Sequence, residues 1–110
     1  MKIKIEKKRE WTIISIAGRL DASTSDILEN QLNKIAEKKI DQILITFNEL
    51  LYISSAGLRV LLSFAKQLHA DNGQLCFAEL GKSVKGVFEI SGFYSLFTIY
   101  KNIEEALASA

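Results

Sequence analysis

The 110-residue sequence contains no proline, a single cysteine and a single histidine, and these scarcities exclude several classes of protein. Without proline, and with only 6 glycines, the chain lacks the composition of a flexible linker or a disordered tail. One cysteine, Cys76, cannot form a disulfide within the chain, so we expect a small buried side chain in a cytoplasmic protein. The charged N-terminus lacks the apolar region of a secretory signal, and no apolar run reaches the roughly 18 residues of a membrane span, so we expect no membrane insertion.

The charge and the histidine content argue against nucleic-acid binding and against catalysis. The formal net charge is +1, and the basic residues 7–9 adjoin Glu10, which is typical of a solvated turn rather than of a nucleic-acid surface. The one histidine, His69, would lie about 21 Å from Ser55 along one helix, too far for a base to reach a nucleophile. One histidine and one cysteine do not make a zinc site without carboxylate ligands. We therefore predict a protein that is not an enzyme and holds no cofactor and no metal.

Hydrophobic periodicity predicts a single domain, residues 1–110, in which strands and helices alternate. Strands are predicted at residues 3–5, 11–17, 43–47, 75–80 and 96–100, and helices at about 24–38, 55–69, 84–90 and 103–108. The short link between the first two strands predicts an antiparallel hairpin, and the continuously apolar strand 43–47 is typical of a parallel sheet covered by helices. The predicted fold class is therefore α/β, with an N-terminal β-hairpin, a mixed sheet and about four α-helices in right-handed crossovers.

Polar residues mark the predicted helix starts. Ser23, Ser83 and Asn102 are each placed to cap a helix. The triplet Gly81-Lys82-Ser83 also resembles the end of a P-loop, but the complete pattern needs a glycine where Cys76 stands. The hypothesis of a nucleotide-binding enzyme rests on this triplet alone.

The start of the helix at 55–69 carries two adjacent serines, Ser54 and Ser55, and its apolar face is predicted to comprise Leu58, Leu61, Leu62, Ala65 and Leu68. The first backbone N–H groups of a helix lack partners and a serine hydroxyl can accept from one of them, so the spacing alone favours a helix cap. The same terminus attracts anions, so a hydroxyl there could instead carry a phosphate in a favourable field.

The segment Ser54-Ser55-Ala56-Gly57-Leu58 resembles the phosphorylation loop of bacterial anti-sigma factor antagonists, which are single STAS-domain proteins. The usual pattern of that family is Asp, Ser, Ser/Thr/Ala, Gly, Leu, and the resemblance extends over nearly the whole chain. It implies a STAS-like fold, and it puts Ser55 at the position that a partner kinase phosphorylates. Two positions depart from the pattern, since Ser54 and Thr46 stand where the family frequently has Asp.

The resemblance also implies where partners dock. Gly18 and Asp21 match family positions in a loop that lies beside the phosphorylation loop. Asp21 could equally be a turn-forming residue hydrogen-bonded to its own backbone, and the sequence leaves both interpretations open. The implied partner-binding residues are Asp21, Ser54, Ser55, Gly57, Leu58 and Arg59.

Two hypotheses of function follow from the resemblance. In the first, the unphosphorylated protein, a monomer or weak dimer, binds an anti-sigma factor that is a serine kinase, phosphorylation of Ser55 releases it, and a PP2C-type phosphatase resets it. In the second, the absence of acids at Ser54 and Thr46 indicates a STAS adaptor that does not switch, such as a subunit of a lipid-transport ABC complex or a signalling scaffold.

Overall fold

The computed structural model describes residues 1–109, and within them the chain forms an α/β fold of six strands and five helices. The strands are β1 (Lys2–Lys8), β2 (Trp11–Leu20), β3 (Gln42–Thr46), β4 (Leu50–Ile53), β5 (Gln74–Ala78) and β6 (Thr98–Tyr100). The helices are α1 (Ser25–Glu37), α2 (Ser55–Ala70), α3 (Lys82–Ser91), α4 (Phe93–Leu96) and α5 (Ile103–Ala108). None of the helices in this part of the chain is long and apolar enough to cross a membrane.

The sheet is mixed, as the sequence predicts, and its order is β1-β2-β3-β5-β6. β1 and β2 form the predicted antiparallel hairpin, with Lys8 opposite Trp11 across a two-residue turn. β2, β3, β5 and β6 run parallel to one another, so the helices that connect them cross over the face of the sheet. The carboxyl ends of these strands meet at one edge, where the loops before α1 and α2 also lie.

Helices cover both faces of the sheet, but unequally. The larger core packs the first four helices against one face through apolar side chains such as Leu32, Leu61 and Phe88. Among the described residues, the opposite face is covered by α5 alone, through Ala106 and Leu107. Burial on both faces explains why the middle of β3, residues 43–45, is continuously apolar, as the sequence predicts for a strand inside a parallel sheet.

Two short elements, β4 and α4, were not predicted from the sequence. The strand β4 has only four residues and buries only its first and last, so it shows no alternation. The single turn α4 makes five helices rather than four, and it ends at Leu96, which shortens the predicted strand 96–100 to Thr98–Tyr100. The burial of α2 also differs from the prediction, because Val60 and Phe64 are in its buried face.

One of the three predicted caps outside α2 is confirmed and two are wrong. The Asn102 side chain accepts a 2.8 Å hydrogen bond from the backbone N–H of Glu105. Ser23 instead hydrogen-bonds Asp21, and Thr24 occupies the residue before α1 without a side-chain cap bond. Ser83 lies inside the first turn of α3, which Gly81 precedes.

Candidate functional site

The junction between β4 and α2 presents the two serines in different environments. The Ser54 hydroxyl accepts a 3.3 Å hydrogen bond from the N–H of Gly57, so Ser54 is the helix cap. Ser55 is the first residue of α2 and is exposed, and none of the side-chain hydrogen bonds within residues 1–109 involves its hydroxyl. From the sequence, either serine could be a helix cap or a site of modification. The structure distinguishes the two, because only the Ser54 hydroxyl is hydrogen-bonded to the backbone of α2.

The first turn of α2 is fixed against the end of β2. The N–H of Ser54 donates to the carbonyl oxygen of Leu20 at 2.9 Å. Gly57 is buried, and a Cβ at this position would lie 2.6 Å from Cγ of Leu20 and 3.2 Å from Cγ1 of Ile53. Glycine is therefore required by this close approach, and the structure gives Gly57 a packing contact rather than an exposed surface.

A prediction follows for the cap. Ser54→Ala leaves an N–H of the first turn without its acceptor, and we expect the free energy of unfolding to fall by about 0.5–2 kcal/mol. Ser55→Ala is the matched control, since the same atom is removed from an exposed side chain, and its effect should stay within about 0.5 kcal/mol. Urea denaturation of the two variants measures the difference. Equal effects would show that the cap bond does not stabilise α2.

The loop that contains Asp21 lies beside this junction, because Asp21 directly follows Leu20. The carboxylate of Asp21 accepts hydrogen bonds from the hydroxyl of Ser23 at 2.7 Å, from the N–H of Ser23 at 3.0 Å and from the hydroxyl of Thr24 at 3.3 Å. These bonds, the one from the Ser23 hydroxyl first among them, lower the pKa of Asp21 below its ordinary value. Asp21 is therefore a turn-forming residue, and it stands charged next to Ser54 and Ser55.

Two residues that the sequence analysis missed, Arg19 and Tyr52, lie beside Asp21 at the junction of β4 and α2. β4 runs parallel to the end of β2 and pairs Arg19 with Tyr52. The guanidinium carbon of Arg19 lies 4.3 Å from the centroid of the Tyr52 ring, and its Nε lies 3.7 Å from Oδ2 of Asp21. A cation stacked on an aromatic ring and paired with a carboxylate is held in one orientation. The sequence contains one indication of this arrangement, the residues 52–53 directly before Ser54. They could be identified as part of a strand only from their pairing with β2.

Apolar side chains are exposed around the same edge. Leu51 is 72% exposed on β4, directly beside the 39% exposed Tyr52, and Ile27 is 53% exposed in the first turn of α1. Leu58 is half-buried and Arg59 is exposed on α2. Large apolar residues that remain exposed together beside charged groups are typical of protein–protein interaction surfaces.

A carboxylate lies beside position 46 although the residue there is a threonine. Thr46, at the end of β3, is buried and donates a 2.7 Å hydrogen bond to Oε1 of Glu79. Glu79 follows β5 with a φ of 62°, a left-handed conformation that is uncommon for a residue other than glycine. The end of β3 therefore has a carboxylate beside it that comes from the residue after the neighbouring strand β5.

The histidine and the cysteine of the chain lie away from the start of α2. His69 is in the last turn of α2, so the helix separates it from Ser55 as the sequence predicts. Burial raises the pKa of the Cys76 thiol to about 11, so the thiol is neutral near pH 7. No cluster of histidine, cysteine and carboxylate side chains that could hold a metal occurs within residues 1–109.

Five of the six implied partner-binding residues are accessible at the start of α2 or in the loop beside it. Ser54, Ser55, Leu58 and Arg59 are consecutive or one turn apart at the start of α2, with Gly57 buried beneath them, and the loop of Asp21 adjoins them. We call the accessible residues of this region the Ser55 surface: Asp21, Ser54, Ser55, Leu58 and Arg59, together with Arg19 and Tyr52, which contact each other, and the exposed Ile27 of α1 and Leu51 of β4. It has the geometry of a docking site that carries an accessible hydroxyl at a helix start.

Comparisons with known proteins agree with this fold. The model of the STAS domain family matches residues 2–106. A relative from Bordetella bronchiseptica, named as the anti-sigma factor antagonist BtrV, is 39% identical over 110 residues, which cover 100% of this chain and 94% of the relative. Sequence similarity therefore extends across both chains.

Solved structures confirm the predicted STAS-like fold. A protein from Thermotoga maritima, described as an anti-sigma factor antagonist, superposes with a TM-score of 0.92 at 16% identity, over 97% of this chain and 92% of that one. The phosphorylated form of SpoIIAA, the Bacillus cell fate determinant, superposes with a TM-score of 0.76 at 22% identity, over 98% of each chain. From its sequence match, its relative and its fold, this chain belongs to the STAS domain family, among the anti-sigma factor antagonists.

Proposed function

We propose that this protein is a partner-switching regulator. Its unphosphorylated form binds an anti-sigma factor that is also a serine kinase, and phosphorylation of Ser55 releases that partner. The observation that carries the proposal is the division between the two serines, since Ser54 is bonded to the backbone of α2 whereas Ser55 is exposed and uncommitted. A solved relative in a phosphorylated form gives the proposal a precedent for the fold.

The proposed chemistry resides in the partners. A kinase would transfer the terminal phosphoryl group of ATP to the Ser55 oxygen, with ADP as the leaving product, and a PP2C-type phosphatase would hydrolyse the phosphoserine. This protein would act as their substrate and not as an enzyme. Exchange with a kinase and its ATP would place the protein in the cytoplasm.

Phosphorylation would change the surface while leaving the fold in place. A phosphoserine adds about 1.5 to 2 negative charges near neutral pH. The positive end of the α2 dipole favours that charge, so the helix should persist. A partner packed on Leu51 and Leu58 would have to remove water from the dianion, and that desolvation opposes the complex.

The experiment is a pull-down from the native host with two baits, the wild type and Ser55→Asp, analysed by mass spectrometry. Recovery of an ATP-dependent serine kinase with the wild type and its loss with Ser55→Asp would support the switch. Recovery of the same partners on both baits, above all of transporter subunits, would contradict it. That second result would favour the adaptor that does not switch. This hypothesis is based on the serine at position 54 and the threonine at position 46, where the family frequently has Asp.

A further inference from the structure

Arg59 is a positive charge in an unfavourable position on α2. It is the fifth residue of the helix, close to the end where the macrodipole is already positive, and it is exposed. The first turn of α2 contains no acidic residue that would offset this charge. Arg59 therefore stands one turn after Ser55, and the first turn of α2 offers it no acid.

No acid inside the helix pairs with Arg59. The positions three and four residues away, where side chains on a helix meet, are Ser55, Ala56, Leu62 and Ser63. Within residues 1–109, the one ion pair with oxygen and nitrogen closer than 4.0 Å joins Arg19 to Asp21. Arg59 thus stands beside Ser55 with a guanidinium that has no such partner.

The neighbouring elements present mainly negative charge to this region. Asp21 lies in the adjoining loop, and Glu29 of α1 lines a shallow crevice together with Val60 and Ser63 of α2. The other nearby cation, Arg19, is already occupied by Tyr52 and Asp21. Asp21 adjoins the start of α2, whereas Glu29 lies against residues 60–67 of that helix. Arg59, four residues from Ser55, is therefore the group that can compensate the charge of a phosphate on Ser55.

We propose that Arg59 is the counter-ion of phosphorylated Ser55, an inference that rests on the proposed function. Residues four apart on a helix have Cβ atoms about 5–6 Å apart, and an anion on the N-terminal side of the cation is the better order. The guanidinium offers two parallel N–H groups to two phosphate oxygens, a geometry that lysine cannot reproduce. Phosphorylation then does two things at once, because it adds the dianion and withdraws Arg59 from the partner.

The partner that fits this arrangement carries a carboxylate opposite Arg59. In the unphosphorylated protein the free guanidinium can pair with that group, and in the phosphorylated protein it is occupied. The switch therefore replaces an ion pair between Arg59 and the partner by an ion pair between Arg59 and the phosphate on Ser55.

The test uses protein with phosphoserine installed at position 55 during translation, so that it needs no kinase. The second pKa of the phosphate, ordinarily about 6, is followed by phosphorus NMR. A nearby arginine favours the dianion and lowers this pKa, so we expect the pKa in wild type to be about half a pH unit below that in Arg59→Gln. The difference should shrink in about 1 M salt, because the pair is exposed.

The matched control is Lys66→Gln, which removes the same charge from an exposed position about 10 Å further along α2 from Arg59. It should leave the phosphate pKa at the wild-type value, and Arg59→Lys should restore only part of the shift. An identical pKa in wild type and Arg59→Gln would overturn the pairing. Because the phosphate is installed directly, that result is independent of whether a kinase is found, so the two proposals fail separately.

Discussion

Ser55→Asp should weaken binding of the isolated partner by about 30-fold or more, which corresponds to about 2 kcal/mol. The new carboxylate lies on the exposed first residue of α2, one turn before the half-buried Leu58, where a packed partner would remove it from water. Isothermal titration calorimetry with the purified kinase measures the loss.

Ser55→Asn separates charge from size in the same measurement. Asparagine has nearly the shape of aspartate without its charge, so its effect on binding should remain below about 1 kcal/mol. The melting temperature of Ser55→Asp should equal that of wild type or exceed it by a few degrees, because an acid in the first turn of α2 interacts favourably with the dipole. Equal affinities of Ser55→Asp and wild type would show that the Ser55 surface does not act as a switch.

Gly57→Ala should lower the free energy of unfolding by up to about 2 kcal/mol, the roughly 1–3 kcal/mol cost of overpacking a core less what alanine gains as a helix former. The added Cβ would lie 2.6 Å from Cγ and 3.0 Å from Cδ2 of Leu20, whose side chain is fully buried. Leu20 cannot withdraw without disturbing the core, so α2 has to move away from β2. This cost exceeds the roughly 1 kcal/mol that alanine gains over glycine as a helix former.

The same substitution should have the opposite sign at Gly86. This glycine lies inside α3, and a Cβ there would meet no atom within 4 Å. Gly86→Ala should therefore raise the free energy of unfolding by about 0.5–1 kcal/mol through helix propensity alone. Chemical denaturation of both variants tests the pair of predictions. A stabilised Gly57→Ala would mean that the first turn of α2 is not clamped against Leu20.

The fold could be predicted from the sequence because its main elements are signalled by local patterns. The hairpin follows from alternation and a short link, and β3 from a run of apolar residues without charge. The start of α2 is marked by Ser54, whose hydroxyl has to satisfy a backbone N–H, and the cap is observed. The resemblance to the anti-sigma factor antagonists added the position of Ser55, which spacing alone could not distinguish from a second cap.

The rest of the site depends on contacts between segments distant in sequence. The stacking of Arg19 on Tyr52 exists only because β4 aligns with the end of β2. The carboxylate beside Thr46 comes from Glu79, which is 33 residues away. The apolar face of α2 was predicted without Val60 and Phe64, because which side of a helix is buried is decided by its neighbours. Local patterns contain none of this information.

The exposed residues of the Ser55 surface are separate from the residues that hold the fold together. Ile27 and Leu51 are mostly solvent-accessible, whereas Gly57 and Leu20 are buried beneath the same loop. Exchanging the exposed side chains should alter which partner is recognised while the free energy of unfolding stays within about 0.5 kcal/mol. A duplicated gene could therefore diverge at these positions alone and become insulated from its parent pathway. In a cell with several STAS proteins and several kinases, this separation would allow cross-talk to be removed without rebuilding the domain.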